Sequence, residues 1–597
     1  MTTIDVFNIM DYGADPTGVA DATTPVRNAL AAANANVIAT GRPTTIFVPA
    51  GNFKFLVKTA RQHIDINNMT KLSFVGVDGN RSKFTLQGDA GLGDWYMFNV
   101  RGNSSDIEFR KLWLDMNITN PDPAEQNHLI QVGNTGATNV RIIDCTFNRA
   151  VGDGIRLAGE FGTPTNEITV RGCVSYNCSR TFVSIQRWCQ RVTVTDCTMY
   201  NGNDQQIDLE PTGYALTATG GNATTVIDAT AQFVTWGIQA GDQIFNVNED
   251  LYARVVSVDS QTQLTVTAGA VDWNGDTFGF LKHCTGHQIT NNRFIRGTNV
   301  TNILLTLEAA NETLVANNYI EGSIHGIDCT ETTIANNHLV IRRSDEAGVR
   351  CIEMVKSVRN VLILGNQIWA QTITQTTLRQ CISAQNQAGR TPHSVKIQQN
   401  IIYATTRATG VFVQGARRCE IKDNVIVLNT PGETNQSVGI YVHIAAGLPC
   451  ESAIVIGNDI SAEQGQWLNG VFLDVLTDNM KSVILGGGSI TDCSGPALRF
   501  LERGGGVFVN PLVMIPTIND VGSITPPASR PWLVIGGVGG SAPATTSLKP
   551  QVFWGQGSPE GVVTAGVGSV AHRSDGGAGT SFYVKESGTG NTGWVPK

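Results

Sequence analysis

The sequence predicts an all-β chain wound into a parallel β-helix, and three observations carry that prediction. A phrase of apolar residue, two variable positions, Asn, one variable position and a second apolar residue recurs five times. Its copies are Val315, Asn318, Ile320; Ile334, Asn337, Leu339; Ile363, Asn366, Ile368; Ile397, Asn400, Ile402; and Ile421, Asn424, Ile426. The Asn residues lie 19, 29, 34 and 24 residues apart, so the turn is fixed while the loops between copies vary. One such β phrase cannot bury itself, and stacked copies form a solenoid. Composition agrees: 41% of residues are hydrophobic and 15% charged, 64 of the 597 are glycine, and long amphipathic helical patterns are almost absent, which describes an ordered, turn-rich β chain. Asn suits the inward bend of each coil, where it tolerates a left-handed backbone and its amide reaches the Asn above and below.

Taken in order, residues 1–60 read as a capping region. Thr24 and Pro25 start a helix that carries Val26, Ala29, Leu30 and Ala33 on one face, followed by the strand and turn TTIFVPAGNF. An amphipathic helix laid across the first coil closes the open end of a solenoid. Residues 61–505 read as the β-helix, with Leu72, Phe74, Ile107, Phe109, Leu112 and Leu114 in early coils. The column then runs through Cys145, Cys173, Cys197, Asn292 and the five copies, continues with Asn458 and ends near Gly488. These cysteines take the slot that Asn fills later, so the twelve cysteines read as buried thiols from a reducing compartment rather than a disulfide set. From Cys197 to Asn292 the chain runs 95 residues, too long for one coil. Setting aside Pro211–Lys282, which is 72 residues, leaves 23, so that span reads as an inserted small β-domain. After Gly506 Pro and Gly rise in IPTINDVGSITPPASRP, and residues 506–597 read as a separate C-terminal β module.

The net charge of −8, with no cluster of Lys and Arg among aromatics, argues against nucleic acid. The opening MTTIDVFNIMDYGADPTGVA carries neither a basic start nor an apolar run, so no signal peptide and no membrane span are expected. No CxxC pair has metal-ligand spacing, so no metal and no cofactor are expected.

The residues Asp11, Tyr12, Gly13, Ala14, Asp15, Gly18 and Asp21, the helix after them, and Val48, Pro49, Ala50, Gly51 resemble the entry motif of the pectate-lyase-like superfamily, which phage tailspikes commonly carry. The last forty residues, from GSPEGVVTAGVGSV to SGTGNTGWVPK, are similar to a terminal motif of phage tail spikes and fibres, except that Ala571 and His572 stand where bulkier strand residues are expected. The resemblance implies a right-handed parallel β-helix, a homotrimer aligned by the C-terminal module, a bacterial surface polysaccharide as partner, and a place in the virion tail after synthesis in the host cytoplasm. Because the chain starts almost at the cap, attachment to a particle would use another virion tail protein or a segment outside this sequence.

Each coil also carries a strand written Gly-Ile-x-Leu-x, whose two x positions share one outward face. The first x position reads Arg156, Ser184, Asp208, Thr306, Asp328, Glu353, Ser383, Phe412, Tyr441, Phe472; the second reads Ala158, Gln186, Glu210, Glu308, Thr330, Val355, Gln385, Gln414, His443, Asp474. The strip is acidic in its middle and aromatic toward its C-terminal end. A long sugar chain needs such a surface: carboxylates for proton transfer, aromatic faces for pyranose rings and amides for hydroxyls. The candidate catalytic residues are Glu210 and Glu308, roughly 5 Å apart if their coils are neighbours, and Asp208 and Asp328, two coils and roughly 10 Å apart. Asp153 and Arg156, in VGDGIRL, sit on the rim above, as substrate contacts or as an ordinary turn with an exposed arginine. Gln186, Phe412, Tyr441 and Phe472 are further candidate substrate contacts, the aromatics serving equally as a lateral contact with another subunit. Trp236, Phe245 and Tyr252 of the insert either wall the cleft or form the insert's own core. The function expected is a polysaccharide depolymerase acting by glycosidic hydrolysis. Its rivals are a polysaccharide lyase or uronan epimerase, with acids holding Ca²⁺ and Arg156 or Arg187 assisting, and a glycan-binding adhesion spike that cuts nothing.

Overall fold

The computed structural model describes residues 4–597 except 57–61, 79–80, 88–94, 118–125, 134, 161, 201–204, 211–215, 268–271, 282–283, 298–302, 342–349, 371–378, 388–389, 405–407, 430–436, 445–449, 509–510, 514–516, 520–523, 526–531 and 536–551. They form two compact units, Met1–Asn337 and His338–Lys597.

In the first unit the chain is a right-handed parallel β-helix in which each coil gives one strand to each of three parallel sheets. One coil runs Cys189–Thr195, Thr198–Tyr200, Ile207–Glu210; the coil before it supplies Thr165–Arg171, Val174–Tyr176 and Val183–Gln186, paired strand for strand. Apolar side chains at alternate positions fill the interior. At the N-terminal end these are aromatic, Phe74 lying 5.5 Å from Phe109 and Phe55 5.1 Å from Phe84. The cap is a helix at Thr23–Thr40, one residue earlier than the sequence suggests, burying Val26, Ala29, Leu30, Ala33 and Val37. Asp21 sets its start by accepting from the Thr23 N–H at 2.9 Å and the Thr23 hydroxyl at 2.6 Å. Asp15 ties the preceding loop through the N–H groups of Ala20, Thr17 and Val19, which hold its carboxyl down at about 2.

The Asn column is built, with one correction to its geometry. In the first unit the Asn318 Oδ1 accepts from the Asn292 backbone N–H at 2.9 Å and amide at 3.1 Å, and the Asn337 Oδ1 serves Asn318 in the same way. Cys197 joins it, its N–H donating to the Asn292 Oδ1 at 2.9 Å, and Cys145 and Cys173 stand in the same slot, buried and unbridged. The left-handed residue is not the column Asn but the one before it: Asn291, Asn317 and Asn336 have φ of 57°, 58° and 54°. The Asn side chain can then reach the next coil because its neighbour takes the bend.

A buried histidine makes stability depend on pH. His287 is fully buried in the first unit, its Nδ1 accepting from the Val192 N–H at 3.3 Å, and burial pushes it down to about 3. The folded chain keeps this imidazole neutral while the unfolded chain protonates below the ordinary histidine value, so its contribution is complete above that value and is lost as pH falls. Denaturant unfolding between about pH 6.5 and about pH 4 should show His287→Asn losing less stability than wild type, by roughly 1 kcal/mol per pH unit.

Seven short strands between Leu216 and Phe280 form an antiparallel sheet around Phe233, Ile244, Val255, Leu264, Trp273, Phe278 and Phe280. The insert's proposed end residues, Pro211 and Lys282, lie outside the described residues. The β-helix resumes directly across it, since Cys189 pairs with Cys284 and Leu209 with Leu307.

In the second unit the same three-strand coil recurs, as in Ser394–Gln398, Ile401–Ala404, Ala408–Gln414, with the column running through Asn366, Asn400, Asn424 and Asn458. The coils do not stop at Gly506: Pro511–Val513, Thr517–Asn519 and Ile524–Thr525 add one more, in parallel register with Val483–Gly486, Ser489–Thr491 and Leu498–Glu502. Proline at the first position of a strand is no obstacle to this, because it withholds only one ladder donor. The strands Val552–Gly555, Val570–Arg573, Phe582–Lys585 and Trp594–Pro596 then enclose a small core of Phe553, Val563, Ala565, Ala571, Tyr583 and Trp594. Ala571 is small because it pairs with both Phe553 and Tyr583. His572 packs on Phe582 at 5.0 Å.

Candidate functional site

The outward row of the first unit follows from strand register. Asp65 pairs with Asn99, Asn99 with Gln131, Gln131 with Arg156, Arg156 with Ser184, Ser184 with Asp208 and Asp208 with Thr306. Gln186 pairs with Glu210. The pairing of Leu209 with Leu307 sets Glu210 and Glu308 at corresponding positions of adjacent strands, whose backbones are about 4.8 Å apart. Both glutamates are half-buried, whereas Asp208 is buried.

Asp328 does not join this row. The strand ends at Ile327, Thr306 pairs with His325 and Glu308 with Ile327, so His325 holds the position assigned to Asp328 and Ile327 that of Thr330. Asp328 lies in the bend beyond, with φ 54°. The reason is a register shift between Ile303 and Leu305, which moves the pairing of Ser323–Ile327 relative to a regular coil.

Asp153 and Arg156 are not on an exposed rim. The Arg156 guanidinium donates to the Gln131 Oε1 at 2.9 Å and to the Gln186 Oε1. Asp153 is fully buried, and neither carboxyl oxygen has a hydrogen-bond partner among the described residues. Its N–H donates to the His128 Nδ1 at 3.0 Å, and its Oδ1 lies 3.9 Å from the Arg180 Nε. Arg180 turns its Nη2 to the Glu210 Oε2 at 2.6 Å. Burial pushes the Asp153 carboxyl up to about 7, with Arg180 and Arg156 pulling it down and Asp208 and Glu210 pushing it up. Burial, aided by Arg156 and Arg180, holds His128 well below its ordinary value. His128, Gln131, Arg180 and His325 are the members of this site that sequence reading missed. Gln131 could have been found by carrying the row one coil upstream; Arg180 sits before its strand, where alternation gives no guide.

Trp236 is half-buried and packs against the insert's core, its ring edge-on to Phe233 at 5.7 Å. Phe245 and Tyr252 pack on each other at 4.5 Å, and the Tyr252 hydroxyl lies 3.5 Å from the Thr330 Oγ1.

In the second unit the aromatic positions fall in register: Ser383 with Phe412, Phe412 with Tyr441, Tyr441 with Phe472, and Phe472 with Arg499. Tyr441 and Phe472 stack at 4.7 Å and 7°, Phe412 follows at 5.2 Å, and the Arg499 guanidinium lies 4.9 Å over Phe472. Beside them the buried Asp474 accepts from Tyr441 at 3.0 Å, contacts the His443 Nδ1 at 3.1 Å and pairs with Arg503. Burial raises the Asp474 carboxyl, but these partners outweigh it and leave it below its ordinary value. Burial and the Asp474 charge raise Tyr441. His443 is therefore held in a structural network.

Among the described residues no three His, Cys, Asp or Glu side chains converge to hold a metal ion, and no helix is long and apolar enough to cross a membrane.

The family described as right handed beta helix region matches residues 118–231. No curated protein matches the chain. Among solved structures, the tailspike protein of E. coli bacteriophage HK620 in complex with a pentasaccharide is 12% identical over 99% of this chain and 90% of its own, with a TM-score of 0.47. A mannuronan C-5 epimerase A-module of Azotobacter vinelandii is 14% identical over 86% and 99%, with a TM-score of 0.38. The catalytic unit of an α-1,3-glucanase from Streptomyces thermodiastaticus is 12% identical over 87% and 69%, with a TM-score of 0.31. The three parallel sheets give the chain the fold of a right-handed parallel β-helix, and the matched region lies within it.

Proposed function

We propose that the protein is a phage tailspike-like depolymerase that hydrolyses glycosidic bonds of a bacterial surface polysaccharide. The observation that carries this reading is the placement of Glu210 and Glu308 on adjacent strands of one outward row, among Arg156, Gln186 and Asp208. Hydrolysis of a glycosidic bond needs one carboxyl to protonate the leaving oxygen and a second to stabilise or attack the opposite side of the sugar. The ion pair with Arg180 suits Glu210 to the carboxylate role, which leaves Glu308 as the proton donor. Gln186 and Arg156, both only partly buried, supply donors for sugar hydroxyls. A homotrimer in a virion tail, attached through another tail protein, is the setting that this reading implies.

The products decide between chemistries. A hydrolase yields new reducing ends and is indifferent to chelator; a lyase yields an ultraviolet-absorbing double bond, and a Ca²⁺-dependent lyase or epimerase fails in chelator. We expect reducing ends that accumulate equally with and without chelator. Polysaccharide left at full length after long incubation would leave only an adhesion spike.

A further inference from the structure

The least expected group in the first unit is Asp153, a buried carboxyl whose oxygens accept no hydrogen bond among the described residues. Such a group costs stability unless a charge nearby offsets its desolvation, so its surroundings indicate what it serves. His128 faces it from the strand Asn127–Gly133 and presents Nδ1 to its N–H, as a neutral imidazole that supplies no charge. Arg156 follows on its own strand and is turned to Gln131 and Gln186. Cys178 and Arg180 come from the segment before Val183–Gln186, and Asp208 and Glu210 from the strand after it. Of these, Arg180 alone reaches both Asp153, at 3.9 Å, and Glu210, at 2.6 Å.

We propose that Asp153 is a positioning residue which, when ionised, anchors the Arg180 guanidinium and through it fixes the Glu210 carboxylate, and which relaxes that grip when protonated. Asp153 itself does not touch substrate, because it is fully buried behind the row. The role assigned to Glu210 rests on the function proposed above; the Asp153–Arg180 linkage does not.

A thermal double-mutant cycle tests the linkage without any glycan. Wild type, Asp153→Asn, Arg180→Gln and the double variant are compared at about pH 8.5 and about pH 5. At the higher pH the double variant should depart from the sum of the single shifts by about 2–4 °C, and at the lower pH the shifts should add. Additivity at both pH values would overturn the proposal. Should Asp153→Asn not fold, Asp153→Ser completes the same cycle. In a cleavage assay, the wild-type rate should rise through neutral pH, and Asp153→Asn should flatten that rise while Arg180→Lys preserves it; an unchanged profile in Asp153→Asn also overturns the proposal. A wild-type protein that cuts no polysaccharide refutes the proposed function, and the thermal cycle still decides the linkage.

Discussion

Glu210→Gln and Glu308→Gln are each expected to lower polysaccharide cleavage by about 10³-fold or more, with folding and glycan binding retained. The amide keeps the side chain's volume and one acceptor but can neither carry charge nor transfer a proton. The fold should tolerate both changes, because both side chains are half-buried on the outer face of the sheet while Leu209 and Leu307 fill the interior. Glu210→Gln also unpairs Arg180, but the Glu210 side chain is 38% exposed, so the stability cost should stay within about 1 kcal/mol. Asp208→Asn probes the third acid and should act on rate more than on binding. The assay is reducing-end release alongside circular dichroism and glycan binding. Full activity in both glutamine variants would move the chemistry off this row.

Asn400→Ala should cost about 4 kcal/mol or prevent folding. Asn400 is fully buried in the second unit. Its Oδ1 accepts from the Asn366 N–H at 2.9 Å and amide at 3.0 Å, and its own amide donates to the Ile363 carbonyl at 3.0 Å and the Asn424 Oδ1 at 2.9 Å. Alanine removes the acceptor of the Asn366 N–H and amide and the donor to the Ile363 carbonyl, while the Asn424 Oδ1 keeps only the residue 400 N–H; each hydrogen bond lost in a dry interior costs about 1–3 kcal/mol, partly relieved by local relaxation. A substitution at a half-exposed surface ion pair such as Glu451 with Arg418 should change stability by less than about 1 kcal/mol. Unfolding in denaturant, compared with wild type, measures the difference; a loss below about 1 kcal/mol would mean that the column is not holding the coils together.

The fold was legible because one turn is written many times. The phrase around Asn318, Asn337, Asn366, Asn400 and Asn424 set the coil spacing, and the period-2 alternation of strands such as Ala408–Gln414 set which residues face out. The left-handed position was also in view, as Asn317, Asn336, Gly365, Asp423 and Gly457 precede the column, but it was assigned one residue too late. The row failed at one coil: Ser-Ile-His-Gly-Ile-Asp offers two apolar registers, and the shift at Ile303 selects the one that excludes Asp328. The burial of Asp153, a rim residue by sequence, and the part played by Arg180 were beyond reach for a different reason. Both residues sit outside the regular strands, and their burial and ion pairing arise only when three successive coils are stacked. For Trp236 two readings stayed open, because an aromatic beside a cleft and an aromatic in a small domain's core look alike in sequence, and the structure packs it against the insert's core.

A crystal structure of Glu210→Gln with a bound oligosaccharide of the host polysaccharide tests the central claim most directly. The sugar chain should lie along the row from Arg156 and Gln186 to Glu308, with the scissile oxygen between positions 210 and 308. A chain bound elsewhere, with no sugar within hydrogen-bond reach of either position, would contradict it.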